Sequence, residues 1–353
     1  MSVIYKNLEE MCEILDSRRV PITAKDRKAG VYPYYGANGL QDYVADYIFD
    51  DELVLLAEDG GNFGSKERPI AYRVSGKCWV NNHAHVLKAK PSVNVDYLCY
   101  ALMFYDTEGL VNGATRQKLT QAAMRQMAIP YRDMAEQVQI VDEISKVTGL
   151  IDKRKEELVL LDQLVKSRFV EMFGEPETNP KGYPIKVLTE IAEYWNGLTY
   201  KPEDVAAEGT IVLRSSNIQN ATLDFVDTVR VSCKIGDKKY VRDNDILMCS
   251  RNGSAKLVGK VALIKDIGEP MSFGAFMMII RSAYYPYLMT YFQMPAFRAQ
   301  ITTGATTTIN QITGRMLDVV KLPVPDLNVI NEFSAFVDQV DKSKLYDEME
   351  VAA

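Results

Sequence analysis

The sequence predicts an α+β protein with two units of mainly antiparallel sheet, separated by long coiled-coil helices. A heptad pattern of apolar residues from Met134 to Met172 predicts the central helix. The segments on either side of this pattern repeat one another at an offset of 193 residues, which predicts two units of one plan. We therefore divide the chain into sheet-bearing units at 1–130 and 181–322, a central helix at 131–180 and a shorter C-terminal helix at 323–353.

The central helix carries apolar residues at alternating spacings of four and three, which is typical of a coiled-coil seam. At about 1.5 Å per residue, the predicted helix is roughly 58 Å long. Arg154 and Arg168 interrupt the apolar seam, and we expect them to contact a partner chain or acids of the C-terminal helix (Glu332, Asp338, Asp341). The predicted seam and partner-contact residues of the two helices are Ile140, Ile144, Val147, Ile151, Arg154, Leu158, Leu161, Val165, Arg168, Phe333, Val337 and Val340.

The internal repeat consists of matching short segments in the same order in both units. The buried-strand patterns at 52–56 and 245–249 each run into a polar loop that contains glycine. Further along, Leu119-Thr120 and Ile312-Thr313 each stand ten residues before a proline. The order of these matches indicates two copies of one α+β unit, each followed by a helix.

Composition places the chain among cytoplasmic globular proteins. Apolar residues make up 47% and charged residues 25% of the 353 residues, and no apolar run is long enough for a membrane span. The five cysteines are scattered without a CxxC pair, as expected for reduced thiols. The net charge of −6 is concentrated in the helical segments, whereas residues 181–322 hold 17 Lys and Arg against 13 Asp and Glu, a sum of +4.

The sequence contains no recognisable catalytic constellation. It lacks a phosphate-binding GxxxxGK[ST] loop, a GxSxG nucleophile elbow and the [Asp/Asn]-Pro-Pro-[Tyr/Phe] stretch of amino-methyltransferases. Cys78, His83 and His85 could suggest zinc, but a fourth ligand is missing, so we favour a surface-pointing HxH at a strand edge. We predict a chain with neither catalytic nor metal-binding residues.

Polar glycine loops at 58–68 and 250–260 occupy equivalent places in the two copies. Ordinary solvated turns explain such loops by composition alone, but their recurrence favours binding. Arg and Lys can bind guanine edges, Asn and Gln adenine edges, and hydroxyl groups phosphate. With neighbouring amide- and threonine-rich segments, the candidate DNA-binding residues are Asn38, Gly60, Gly61, Asn62, Ser65, Lys66, Arg68, Asn81, Asn82, His83, Arg116, Lys118, Arg214, Ser215, Asn217, Arg251, Asn252, Ser254, Lys256, Thr306, Thr307 and Asn310.

The whole chain resembles a type I restriction–modification specificity subunit. The most specific parts are the stretches 34–39 and 56–64, together with 113–141, where a head passes into a helix. The second copy of that transition, at 304–325, is similar but has Asn331-Glu332 in place of the Glu136-Gln137 pair. The last helix is also shorter than the family pattern, so we expect either that the helix is truncated or that another helix or a second copy completes its coil.

The resemblance implies two target-recognition domains that each read one half of a split sequence in double-stranded DNA. It implies helical spacers that dock methyltransferase subunits, with a restriction and translocase subunit joining for cleavage. S-adenosylmethionine and ATP are expected on those partners and no cofactor on this chain, which would be non-catalytic. The alternatives are a fused or stand-alone methyltransferase or restriction component, and a scaffold that does not bind DNA.

Overall fold

The computed structural model describes residues 3–113, 116–301 and 311–352, with side chains described as far as residue 344. The chain divides into two compact units, Met1–Asp152 and Lys153–Ala353. Both combine helices with largely antiparallel sheets, which confirms the α+β class. The four-part division made from the sequence stays a prediction.

The first unit contains a run of strands, three short helices and the start of a long helix. These elements are β1 (Ile4–Asn7), α1 (Leu8–Met11), β2 (Cys12–Ile14), β3 (Ala29–Gly36), β4 (Gly39–Val44), β5 (Phe49–Ala57), β6 (Ala71–Val80), β7 (Ala84–Ala89), α2 (Val95–Met103), β8 (Val111–Asn112), β9 (Lys118–Leu119), α3 (Gln121–Arg125), β10 (Ala128–Tyr131) and α4 (Met134–Phe173).

A six-stranded sheet in the order β2-β7-β5-β6-β3-β4 forms the centre of the first unit. All of its pairings are antiparallel except that of β3 with β6. Strand β5 is buried on both faces: Val54 and Leu56 join the core that contains α2, whereas Leu53 and Leu55 pack in a second cluster. Because side chains alternate across a strand, burial on both faces explains the unbroken apolar run in the sequence.

The start of helix α4 is anchored to the first unit by a buried amide. Gln137 is fully buried and its Oε1 accepts a hydrogen bond from the Asn94 amide at 2.7 Å. Its Nε2 donates to the carbonyl oxygens of Ser92 at 3.1 Å and Arg132 at 2.9 Å. One side chain thus satisfies three backbone groups where the chain enters the helix.

The second unit consists of short strands and helices around the remainder of α4. Its elements are β11 (Ile185–Val187), β12 (Glu193–Asn196), β13 (Val205–Ala206), β14 (Thr210–Leu213), β15 (Ile218–Gln219), β16 (Thr222–Leu223), β17 (Arg230–Val231), β18 (Ile246–Cys249), β19 (Val261–Leu263), β20 (Met271–Phe273), β21 (Met277–Arg281), α5 (Tyr285–Tyr291), α6 (Pro295–Ile301), α7 (Gly314–Leu317), β22 (Lys321–Pro323) and α8 (Leu327–Ala352).

Two four-stranded sheets, β12-β21-β18-β19 and β13-β17-β14-β20, form the centre of the second unit. Strand β18 repeats the arrangement of β5, since Ile246 and Met248 face one core and Leu247 and Cys249 another. Each unit is also closed by pairing its first strand with the strand that precedes its helix: β1 with β10, and β11 with β22. These parallels follow the internal repeat in the sequence.

In the second unit, α8 packs against the C-terminal part of α4 through aromatic rings. The Phe333 ring lies 5.7 Å from that of Phe169 and 5.3 Å from that of Phe173, both edge to face. Further along α8, Lys344 Nζ lies 2.6 Å from Asp162 Oδ1. Residues further along α8 contact residues nearer the start of α4, so the two helices run antiparallel.

The predicted seam is only partly covered. Most seam positions of α4 are half-buried while their neighbours are exposed, but Val147 is 56% exposed, and its place in a seam or partner contact stays a prediction. Other apolar side chains of α4 are exposed beside the seam, among them Leu150, Leu160 and Leu164.

The predicted contacts of the seam arginines with acids of the C-terminal helix also need correction. Arg168 Nη1 pairs with Glu171 on its own helix at 2.8 Å, and its guanidinium lies over the ring of Phe336 in α8. Asp338 and Asp341 instead pair with Lys265, at 3.0 and 3.6 Å. The contact of Arg168 with α8 is therefore made through an aromatic ring.

Arg154 Nη1 likewise pairs with an acid of its own helix, Glu157, at 2.7 Å.

All five cysteines are free thiols, and four of them are buried. Among the described residues, no helix combines the length and the apolar character that a membrane crossing requires.

Candidate nucleic-acid interface

In the first unit, the polar loop after β5 lies beside the segment that leads into β9. The Leu119 amide donates to the Glu58 carbonyl oxygen at 2.7 Å, and the Gly60 amide donates to that of Gln117 at 3.2 Å. Asp59 and Lys118 form an isolated antiparallel bridge. Two candidate segments, joined by a bridge between residues that are 59 positions apart in the sequence, thus form one surface.

Asp59 is the charged centre of this surface. Its Oδ1 lies 2.7 Å from His83 Nδ1 and also accepts a hydrogen bond from Arg116 Nη2. The Arg116 side chain nevertheless remains 61% exposed. The guanidinium is therefore oriented by a carboxylate while most of it faces solvent, which suits a side chain that binds an anionic or base-edge partner.

Amide and hydroxyl side chains hold the loop in shape. Asn38 Nδ2 donates to the Gly60 carbonyl oxygen at 3.0 Å, and Asn62 Nδ2 donates to that of Pro69 at 3.3 Å. Gly60 has φ +64°, and a Cβ on Gly61 would lie 2.3 Å from the Cβ of Ala57, so side chains at these glycines would displace the loop. Ser65 Oγ accepts from the Arg68 amide at 2.9 Å. These residues shape the surface as well as contributing to it.

A buried ionic cluster supports the loop from below. His85 is fully buried, with Nδ1 2.6 Å from Asp16 Oδ2 and Nε2 2.9 Å from the Leu119 carbonyl oxygen. The expected surface-pointing HxH is therefore wrong for His85, because β7 is an interior strand of the six-stranded sheet. His83, which precedes β7, is half-buried and faces Asp59.

The acids of this cluster are neutralised by neighbouring cations. Arg19 lies 2.6 Å from Glu58 and 3.4 Å from Asp16, and Lys118 lies 2.9 Å from Glu58. Burial alone would raise the pKa of Asp16, but the hydrogen bond and charge of His85 hold it below its usual value. Asp16, Glu58 and His85 have metal-ligand chemistry within 4.8 Å of one another, yet Arg19 and Lys118 already supply the positive charge that an ion would bring.

The second unit brings the equivalent segments together. Arg251, two residues after the end of β18, forms an isolated antiparallel bridge with Gln311, and the Ile312 amide donates to the Ser250 carbonyl oxygen at 2.7 Å. This is the same pairing of a strand-end loop with the segment before a short helix. The repeat in the sequence therefore corresponds to a repeat of the candidate surface.

A cleft of about 1030 Å³ opens beside Arg251 and Asn252. On another wall, Arg214 Nη2 pairs with Asp227 at 2.7 Å. Asn252 Nδ2 donates to Ser215 Oγ at 3.1 Å, which ties the strand-end loop to that wall. The cleft combines guanidinium, amide and hydroxyl groups with an exposed aromatic ring, Phe276.

Most of the predicted contact residues in the described part of the chain reach the surface. The exposed ones are Asn38, Gly60, Lys66, Arg68, Asn82, Arg116, Lys118, Arg251, Ser254 and Lys256, and the half-buried ones are Gly61, Asn62, Ser65, His83, Arg214, Ser215 and Asn252. Thr306, Thr307 and Asn310 lie outside the described residues.

The predicted DNA contacts of Asn81 and Asn217 need correction, because both side chains are buried and hydrogen-bonded within the protein. Asn81 Nδ2 donates to Gln41 Oε1 at 3.1 Å, and its Oδ1 accepts from the His83 amide at 2.8 Å. Asn217 is fully buried and its Nδ2 donates to the carbonyl oxygens of Asp224 and Asp227. A buried amide satisfied in this way stabilises a loop and does not face a ligand.

Two residues of the surface were missed by sequence reasoning. Asp59 was overlooked because an acid is unexpected where an anion is to bind, although it orients Arg116. Phe276 was overlooked because it directly precedes the apolar run of β21 and reads as part of a buried strand. Its position after Gly274-Ala275 was the available signal for a turn.

The N-terminal part of the chain is similar in sequence to a known domain family. Residues 3–160 match the family described as type I restriction modification DNA specificity domain. The type I restriction enzyme specificity subunit S.HindORF215P of Haemophilus influenzae is 37% identical over 148 residues, 42% of this chain. The EcoKI specificity subunit of Escherichia coli is 25% identical over 178 residues, 47% of this chain. In both pairs the matched region spans only 38% of the relative's length.

Solved structures extend the likeness in fold to the whole chain. The S subunit of a type I restriction–modification system from M. genitalium matches 100% of this chain and 92% of its own, with TM-score 0.59 and 12% identity. A chain from a structure of type I restriction–modification complex assembly matches with TM-score 0.56 and 15% identity. Residues 3–160 thus resemble the type I restriction modification DNA specificity domain, and the whole chain has the fold of the type I restriction–modification S subunit from M. genitalium.

Proposed function

We propose that this chain is the DNA sequence-specificity subunit of a cytoplasmic type I restriction–modification complex. Each unit reads one half of a bipartite site in double-stranded DNA, and the chain itself performs no catalysis. The single observation that carries this proposal is the repeated surface. In each unit a strand-end loop pairs with a distant segment, and the pair presents an arginine: Arg116 on the distant segment in the first unit and Arg251 on the strand-end loop in the second. Two similar surfaces on one chain suit two half-sites.

The helices have a separate role in this proposal. Helix α4 contributes to both units, and α8 packs antiparallel against its C-terminal part, so the pair acts as the spacer that sets the separation of the half-sites. The exposed side chains Leu150, Leu160 and Leu164 supply apolar area for docking methyltransferase subunits, which a restriction and translocase subunit joins. S-adenosylmethionine and ATP bind those partners.

The decisive experiment combines methylome sequencing with mutation. Sequencing a host with and without the gene identifies a bipartite methylated site. Arg116→Ala is expected to relax or weaken recognition of one half-site, and Arg251→Ala that of the other. Loss of an arginine that binds a base costs about 1–3 kcal/mol, roughly a 5- to 150-fold change in affinity. Arg242→Ala, an exposed arginine outside the cleft, is the matched control.

Three outcomes would contradict parts of the proposal. If the reconstituted complex binds no duplex even at low salt, where phosphate contacts are strongest, the scaffold alternative is favoured. If both arginine variants change the same half-site, the assignment of one half-site to each unit is wrong. Measurable S-adenosylmethionine binding by this chain alone would favour the fused methyltransferase.

The docking role of the helix has its own test. Leu160 is 56% exposed, so Leu160→Asp should leave the fold intact while placing a charge in the apolar docking area. Co-purification with the methyltransferase subunit should be lost, and Glu156→Gln on the same helix should have no effect. Changes at the half-buried seam, such as Leu158→Asp or Leu161→Asp, should also disrupt assembly while leaving each unit folded.

A further inference from the structure

The Phe276 ring is an exposed aromatic surface on a rigid turn at the cleft of the second unit. The side chain is 58% exposed between β20 and β21. Its carbonyl oxygen accepts from the amides of Ser250 at 2.9 Å and Arg251 at 3.1 Å, and the Met277 amide donates to the Gly274 carbonyl oxygen at 2.8 Å. Main-chain hydrogen bonds thus hold the turn that carries the exposed ring.

Arg251 stands over this ring. Its guanidinium carbon lies 5.3 Å from the ring centroid, within cation–π range. Among the described residues, no carboxylate lies within ion-pair distance of Arg251, whereas Arg116 is paired with Asp59 and Arg214 with Asp227. Because a ring face orients the guanidinium without occupying its N–H groups, the donors of Arg251 remain available to a ligand.

The side-chain amide of the neighbouring Asn252, in contrast, is already hydrogen-bonded within the protein. Its Nδ2 donates to Ser215 Oγ at 3.1 Å, and its Oδ1 accepts from the Ser254 amide at 2.9 Å. Reading an adenine edge requires both ends of an amide, so Asn252 would have to give up two framework contacts. At the mouth of the cleft, Arg251 and Phe276 are therefore the groups prepared to contact a base.

The chemistry of the pair matches a particular base step. Arginine donates in a bidentate manner to O6 and N7 of guanine, and an apolar side chain contacts the 5-methyl group of thymine. Neighbouring base pairs lie about 3.4 Å apart along the duplex, a separation that a guanidinium and a ring 5.3 Å apart can span. We propose that Arg251 and Phe276 together read a thymine next to a guanine in the half-site bound by the second unit. This inference rests on the function proposed above.

The first test removes single methyl groups from the DNA. In the site identified by methylome sequencing, each thymine is replaced in turn by deoxyuridine, which lacks only the methyl group. One replacement should weaken binding of the complex about fourfold, the effect of losing one buried methyl contact. The same replacement should have no effect on the Phe276→Ala complex. Val319→Ala, an apolar side chain that is 64% exposed and does not line the cleft, is the matched control.

The second test probes the arginine at the adjacent base. Replacing the neighbouring guanine by 7-deazaguanine, which lacks the N7 acceptor, should weaken binding by the wild-type complex about five- to tenfold. Arg251→Ala should be insensitive to this replacement. Arg251→Lys should stay weak, because lysine cannot make the bidentate contact.

The outcomes separate this inference from the proposed function. Methyl and N7 effects that disappear only in the Phe276 and Arg251 variants support it. Normal duplex binding with a half-site that lacks an adjacent thymine and guanine overturns the inference and leaves the proposed function standing. Sensitivity to deoxyuridine that persists in the Phe276→Ala complex also overturns the inference and leaves the proposed function standing. If no duplex is bound by the wild-type complex, both fail.

Discussion

Phe333 joins α8 to the rest of the second unit, and its removal should destabilise that unit strongly. The side chain is fully buried and touches Phe169 and Phe173 edge to face. Truncating a buried Phe to Ala costs about 3–5 kcal/mol. Each ring contact accounts for about 0.5–1.5 kcal/mol of that figure. Phe333→Leu keeps most of the burial and loses only the ring contacts, so it should cost about 1–3 kcal/mol.

Hydrogen exchange measured by mass spectrometry tests this prediction in the second unit. The amides of β18 and β21 belong to strands whose side chains share a core with Phe333. A loss of about 3–5 kcal/mol should accelerate their exchange roughly 150- to 5000-fold in Phe333→Ala. Phe225→Ala, at a ring that is 47% exposed, should change the rates only about twofold. Acceleration below about fivefold in Phe333→Ala would refute the idea that this aromatic contact stabilises the unit.

Three further predictions concern other buried groups. The pKa of Asp16 is lowered from 3.8 in the folded state, so its stabilising contribution is present above that pH and lost as the pH falls through the folded value; acid unfolding should be shallower in Asp16→Asn. Gln137→Ala leaves three backbone groups without partners and should lower the free energy of unfolding of the first unit by about 2–5 kcal/mol in urea titrations, with Gln139→Ala as the exposed control. Burial raises the pKa of the thiols of Cys12, Cys78 and Cys99 to about 12. Iodoacetamide at about pH 8 should therefore label half-exposed Cys233 well before these three thiols. Equal labelling of all four would contradict the burial of the three.

The long helix and the main strands could be predicted from the sequence because their patterns are periodic. The heptad pattern from Met134 to Met172 became α4, Met134–Phe173. The apolar runs at 52–56 and 245–249 became strands buried on both faces. The local pattern is sufficient to place these elements, but it does not fix the burial of each side chain, since Val147 occupies a seam position and is 56% exposed.

The candidate surface could be predicted only in part, because burial of polar groups depends on distant partners. Asn81 and Asn82 are adjacent, yet only Asn82 is exposed. Asn217 was predicted to contact DNA, but its side-chain amide donates to the carbonyl oxygens of two aspartates in the structure. The sequence also does not reveal that His85 lies over Asp16, which is 69 residues away. Such pairings depend on tertiary structure and leave no local signal.

Main-chain hydrogen bonds hold both candidate surfaces in place, and this affects how the sequence of such a protein can evolve. The Leu119 amide bonds to Glu58, the Ile312 amide to Ser250, and the Ser250 amide to Phe276, all through carbonyl oxygens. Main-chain groups are the same in nearly every residue, so these bonds persist when the exposed side chains are replaced. Under the proposed function, substitution at a position such as Arg251 can then alter the preferred base without remaking the loop that presents it. The framework can be inherited unchanged while recognition diverges.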